Sequence, residues 1–293
     1  LMGIGAYATA LLLLHTHLPL AAVLVLASGA TGLAGLVIGV GAARLRGPYL
    51  AGATLALAVA LPGIAYRWPS VLGGDTGLSI NQPVPPSFLG SDFDQQEWIA
   101  WISAFCAVVA LVVLANLVRS RYGRSFRAVR DDEIAAGLVG IHVARTQVVA
   151  FVVSSTCAGL GGALLALSTG TVNPLGFPLS LSIALVAAMV IGGIGSLVGA
   201  LWGAILVVYL PQWATSVSNR FGFSTAVSSN LAFAFYGLAL IVVMLLLPGG
   251  IQGGVRTLVE RVHARSRPGR NAPPAADAKG EHPPEVELGH NPS

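Results

Sequence analysis

Few residues in this sequence of 293 could do covalent chemistry, and their spacing does not suit it. Lys279 is the only lysine, so neither Gly-rich stretch leads into the Lys-Ser or Lys-Thr of a phosphate-binding loop, and the chain cannot itself hydrolyse ATP by that route. His15 and His17 stand two apart at the end of an apolar run, and His142, His263, His282 and His290 are scattered without the spacing of a zinc helix or nearby carboxylates. Cys106 and Cys157 lie in the middle of apolar stretches and read as small buried hydrophobes rather than ligands or a disulfide. Ser and Thr inside apolar helices usually bond back to their own turn, which gives a serine nucleophile no support. The expectation is a chain that is not an enzyme and binds no metal or cofactor of its own.

Polar chemistry is concentrated in one segment, Arg119 to Gln147, which reads RSRYGRSFRAVRDDEIAAGLVGIHVARTQ. It contains a short helix with both ends marked: Asp131 can cap its start, Asp132 and Glu133 suit the positive end of its dipole, and Gly140 stands where a left-handed residue would end it. Ile134 and Leu138 are four apart, with Ala135 and Val139 beside them, giving a small apolar face. So short a helix is unstable alone and needs a groove, in this chain or in a partner. A helix lying among lipid headgroups is the competing reading, and on physical grounds both stay open.

The elements that must position this segment follow from composition. With 55% hydrophobic residues, 10% charged and 36 Gly, the chain has well under the roughly 25% charge of a soluble domain and reads as an integral membrane protein. Apolar runs occur at about Met2 to Leu14, Leu20 to Val40, Tyr49 to Tyr66, Trp98 to Val118, Val148 to Leu167, Leu179 to Gly193, Leu197 to Trp213 and Leu231 to Leu247. A crossing takes about 20 residues. Apolar on all sides and without alternation, these runs predict an all-α polytopic bundle of about eight spans, with residues 1–262 as one membrane domain.

The net charge of +4 would suggest nucleic acid in a soluble protein, but here its distribution sets orientation and no nucleic-acid partner is expected. The loop 119–147 carries Arg119, Arg121, Arg124, Arg127, Arg130 and Arg145, which places it in the cytoplasm together with the basic C-terminus. Loop 69–97 carries Asp75, Asp92, Asp94 and Glu97 without Lys or Arg, between Tyr66, Trp68, Trp98 and Trp101, and is expected outside. Residues 263–293 read as a disordered cytoplasmic tail, and the basic stretch at Arg256, Arg261, Arg265, Arg267 and Arg270 as an attraction to anionic lipid. Because Leu1 already lies in an apolar run, a shortened gene model or a non-Met start is expected, with a further helix; a signal peptide fits poorly.

Two more features bear on function. Gly195, Gly199 and Gly203 recur every four residues, as do Gly35 and Gly39, which suits close helix packing; the break at Gly192 to Ser196, including Gly193, is alternatively a place where backbone groups border a solute path. No apolar run holds a charged residue away from its ends, which argues against an ion-coupled carrier.

Residues Glu133, Ala135, Ala136 and Gly140, with Ile134 interposed, resemble the Glu-Ala-Ala and Gly of the coupling loop in permeases of ATP-binding-cassette importers. Further stretches in order resemble the branched-chain amino-acid (Liv-type) branch of that family: Leu45 to Ala51 leading to Thr54 to Ala58, Gly73 to Leu78, Gly123-Arg124 with Arg127 to Asp131, Ala150 to Leu160, Gly192 to Ser196, and Leu247 to Gly250. Val59 departs from the pattern, standing where many members carry Glu. The resemblance implies a permease subunit of the inner membrane that forms the path with a second permease. Two ATPase subunits, which hold ATP and Mg, would drive it and an external solute-binding protein would supply it. It also implies ATPase coupling through Glu133, Ile134, Ala135, Ala136, Leu138 and Gly140, with Arg127 and Arg130 leading in. A urea or short-amide importer shares these motifs, and a stand-alone channel or secondary carrier is the reading from another class.

Overall fold

The computed structural model describes residues 1–42, 48–85, 94–193 and 195–220, with 238, 252 and 253. Its helices are α1 (Met2–His15), α2 (Leu20–Ala42), α3 (Pro48–Arg67), α4 (Pro69–Leu72), α5 (Gln95–Arg119), α6 (Arg121–Asp131), α7 (Glu133–Leu138), α8 (Val143–Thr169), α9 (Leu179–Gly192) and α10 (Leu197–Arg220). Two short strands, β1 (Leu78–Ser79) and β2 (Thr171–Val172), pair antiparallel, Leu78 opposite Val172.

The molecule is a helical membrane bundle, and its apolar helices fall on the first seven expected runs. Four stretches are long and apolar enough to cross a bilayer: Leu20–Gly41, Gln95–Arg119, Val143–Thr169 and Pro174–Gly192. Helix α1, with 14 residues, extends only about 21 Å, short of the roughly 30 Å hydrocarbon core. The run at Leu231 to Leu247 and the tail at 263–293 lie outside the described residues, so the expected eight spans are not reached within them.

Helix α8 is the axis. Neighbours cannot be drawn to it by the hydrophobic effect, since lipid is as apolar as leucine, so close van der Waals contact must hold them. Small residues provide that contact. Gly159 lies against Gly5 of α1 and Thr31 of α2, Gly35 against Ser155, Gly39 against Phe151, and Gly162 against the Met2 carbonyl. Three hydroxyls in this seam bond back into their own helices: Thr9 donates to the Gly5 carbonyl at 2.8 Å, Thr31 to Ala27 at 2.8 Å and Ser28 to Leu24 at 2.7 Å, whereas the buried Ser155 hydroxyl has no partner among the described residues. Around them Leu24, Ala27, Ile99, Ala163 and Leu167 form one buried cluster. Ala6, Tyr7, Ala10, Ala65, Ile80, Ala166 and Val172 form another, which includes residues at the strand pair.

Three boundaries differ from the sequence reading, one of them the end of α10, which runs to Arg220 and not to Trp213. Helix α5 starts at Gln95, inside the segment expected to be loop, with Asp94 in the capping position and Glu97 in its first turn, where negative charge is favourable. Helix α8 starts at Val143, so Arg145 and Gln147 belong to a helix and the loop before it is shorter than 119–147. Polar side chains at a helix mouth emerge from the bilayer, and hydropathy alone therefore truncates the helix.

The strand pair gives a topological constraint. It brings the segment after α4 onto the segment after α8, and the Ile80 amide donates to the Gly170 carbonyl at 2.9 Å. These segments therefore share one face of the bundle, and α5 and α8 both run from it to the segment that holds α6 and α7.

Adjacent glycines test the packing account. A methyl at Gly161 meets nothing within 4 Å, whereas one at Gly162 runs into the Met2 backbone. Gly161→Ala is expected to be neutral or to stabilise by up to about 1 kcal/mol through helix propensity. Gly162→Ala is expected to destabilise by about 1–3 kcal/mol through overpacking. Thermal unfolding of the two purified variants in detergent checks this, and equal melting temperatures would refute it.

Candidate coupling surface

The turn from α5 into α6 is tight. Ser120 caps α6, its hydroxyl accepting from the Tyr122 amide at 3.2 Å, and Gly123 sits against the Val118 carbonyl, where a side chain would not fit. Sequence reading took this basic stretch as a lead-in, but it is an eleven-residue amphipathic helix. Val129 is buried and Phe126 half-buried on one side, while Arg121, Arg124 and Arg127 are exposed on the other. The spacing Tyr122, Phe126, Val129 carries that signal, which the run of arginines obscures.

Asp131 is the last residue of α6 and not the cap of the next helix. The cap is Asp132, whose Oδ1 accepts from the Ile134 amide at 2.8 Å and the Ala135 amide at 3.0 Å. Asp131 and Asp132 are equally good cap types, so sequence could not choose between them. Asp132 takes extended backbone angles, φ −156° and ψ 112°, which separate α6 from α7. At the other end Gly140 has φ +85°. Its amide donates to the Gly137 carbonyl at 3.1 Å and the Ile141 amide to the Ala136 carbonyl at 3.0 Å, the paired bonds of a Schellman ending. Gln147, on the first turns of α8, donates from Nε2 to Glu133 Oε1 at 2.9 Å and ties α7 to the membrane axis.

Held this way, α7 exposes most of its apolar side chains. Ile134 is 79% exposed, Leu138 84% and Val139 76%, and Ala135 is exposed beside them. Ala136 is 3% exposed and faces into the chain. Behind α7 lies a groove of about 470 Å³ lined by Phe126, Val129, Arg130, Asp132, Glu133 and Gln147 among others. Another cavity, about 730 Å³, lies by the strand pair and is lined by Gln82, Gln95 and Thr169 among others. Gln82 donates there to the Leu167 carbonyl at 2.8 Å.

The glycine group is placed as follows. Gly199 lies against Gly192 and Gly193, and Gly203 against the Ala188 carbonyl, so α9 and α10 meet backbone to backbone. Gly195 has φ +85° in the turn joining them, and Ser196 caps α10, its hydroxyl accepting from the Gly199 amide at 3.1 Å. A Cβ on Gly195 would stand 2.8 Å from Arg130 Nη1. The structure thus brings one coupling-segment residue, Arg130, onto the glycine turn, and leaves Arg127 exposed away from it.

Comparison with known proteins identifies the family of this bundle. The family model for the branched-chain amino acid transport system, permease component, matches residues 1–247. The chain belongs to this family. The chain is 30% identical over 229 residues to the high-affinity branched-chain amino acid transport system permease protein LivM of Salmonella typhimurium, covering 70% of this chain and 53% of that protein. LivM of Escherichia coli matches at the same identity and coverage. LivH of Salmonella typhimurium is 36% identical over 165 residues, covering 56% of this chain and 49% of that protein. The chain therefore spans about half the length of the curated relatives it matches. No solved structure matches it.

The capping geometry makes a local prediction. Asp132→Ala removes the carboxylate oxygen that accepts from the Ile134 and Ala135 amides and should cost α7 about 1 kcal/mol. Gly140→Val forces a β-branched residue to positive φ, a penalty of roughly 1 kcal/mol or more. Hydrogen exchange should therefore quicken at Ile134 to Leu138 in both variants while α8 keeps its protection. Unchanged exchange in α7 would show that packing, not capping, holds it.

Proposed function

We propose that this chain is a permease subunit of an ATP-binding-cassette importer for branched-chain amino acids, placed in the inner membrane. It would line the translocation path with a second permease subunit, be driven by two ATPase subunits that hold ATP and Mg, and be supplied by an external solute-binding protein. What supports this reading is the exposed apolar tip of α7, held rigid at both ends on the same face as a basic amphipathic helix, in a chain of the permease family.

Within this reading the residues divide their work. Ile134, Ala135, Leu138 and Val139 enter a groove on the ATPase, where burying a large apolar side chain is worth about 1.5–3 kcal/mol. Glu133, Ala136 and Gly140 hold the tip in place from within: one bonded to α8, one packed inward, one ending the helix. Arg127, exposed on α6, faces the partner or the headgroups.

Leu138→Ala is expected to weaken ATPase co-purification about tenfold or more while the membrane domain keeps its melting temperature. Binding at the wild-type level, together with weaker membrane attachment of the segment, would instead favour a helix lying on lipid. Uptake assays with leucine and with urea in the assembled importer separate the two solute readings, and transport by this chain alone without nucleotide would favour a channel.

Orientation has its own test. Thr76 follows α4 and Arg124 is on α6, on opposite faces of the bundle, and both are exposed. In intact cells Thr76→Cys should react with an impermeant thiol reagent and Arg124→Cys only after permeabilisation. The reverse pattern would invert the topology.

A further inference from the structure

The Arg130 side chain, 58% exposed, pairs with the neighbouring Asp131 carboxylate on the surface of α6. Its Nε and Nη2 both donate to Asp131 Oδ1, at 3.0 and 2.9 Å, which leaves Nη1 facing the α9–α10 turn, where Gly195 has no Cβ to hold it off. Gly195 is at φ +85°, and Gly192 and Gly199 lock the two helices together on either side of it. The two helices on either side of the turn are thus in backbone contact with each other. Arg130 is two residues from the cap of α7 and thus moves with the coupling tip.

We propose that Arg130 is a positioning residue that links α7 to the α9–α10 hairpin: Asp131 aims the guanidinium, and the bare backbone at Gly195 receives it. This rests on the coupling reading above. A shift of α7 imposed by an ATPase is carried through Arg130 onto the turn, and from there along α9 and α10. Lysine would not substitute, because a single ammonium cannot make the two-nitrogen bond to Asp131 and still present a third nitrogen to Gly195.

The test uses the assembled importer in vesicles, with radiolabelled leucine uptake, ATP hydrolysis and ATPase co-purification measured together. Arg130→Ala, Arg130→Lys and Gly195→Ala should each keep co-purification and hydrolysis near wild type and lower uptake per ATP by about three- to thirtyfold. Because Arg130→Ala and Gly195→Ala break one contact, the double variant should be no worse than the poorer single. Wild-type uptake in both singles overturns the link, as do losses that multiply in the double. Loss of co-purification in Arg130→Ala also overturns it, by making Arg130 a docking contact. If the wild-type chain itself retains no ATPase, the coupling reading fails, and the link is decided separately by hydrogen exchange of the full chain in nanodiscs. Exchange at Gly195 to Gly199 should rise severalfold in Arg130→Ala, and no change would refute it.

Discussion

The architecture depends on how closely backbones can approach α8. Gly5 lets α1 meet the α8 backbone at Gly159, and on α2 Gly35 and Gly39 receive the Ser155 and Phe151 side chains while the Thr31 side chain covers Gly159. In lipid, where burying leucine against leucine gains little over burying it against acyl chains, such contact is what distinguishes one arrangement of helices from another. The larger residues of these helices point away from the seam: Val25, Leu33 and Val37 of α2 are each about 70% exposed in the isolated chain and are suited to hydrocarbon. A soluble protein inverts this arrangement, with large residues inside and small ones tolerated anywhere.

The same device recurs at the far end of the bundle with a different result. Between α9 and α10 it joins two consecutive helices across a four-residue break, so the pair behaves as a single bent unit. The segment from α5 to α8 is built on the opposite principle. Its parts are joined by side-chain caps and single hydrogen bonds, Ser120 at one junction, Asp132 at the next, Glu133 with Gln147 at the third. Helix pairs in backbone contact are thus joined by a segment whose exposed apolar tip is fixed by caps at both of its ends.

Much of this was legible from residues alone. Hydropathy located the seven described apolar helices with ends off by up to seven positions, and the ending of α7 at Gly140 followed from the need for positive φ. What could not be read were decisions made by tertiary context. Asp131 and Asp132 are chemically alike, and only the path of the backbone assigns the cap to the second. Ala135 and Ala136 are identical side chains, yet one is exposed and the other buried because the helix phase relative to α8 is set by the Glu133–Gln147 bond, fourteen residues apart. The approach of the Arg130 guanidinium to Gly195 brings together residues 65 positions apart, and no local pattern announces it.

The strand pair has a consequence for biosynthesis. Leu78 cannot meet Val172 until the intervening chain has been made and α8 has crossed the bilayer. At about 5–20 residues per second, that is a delay of roughly 5–20 seconds in which the first strand waits with its hydrogen-bonding edge bare. Zipping Ile80 to Gly170 then fastens the mouth of α8 to a segment made long before it, like a clasp closed after the rest of a garment is on. Correct membrane insertion of α5 and α8 is thereby read out on one face of the membrane: a chain in which either helix failed to cross would present its two strands on opposite sides, unable to join, and would leave a free edge for quality-control proteases to find.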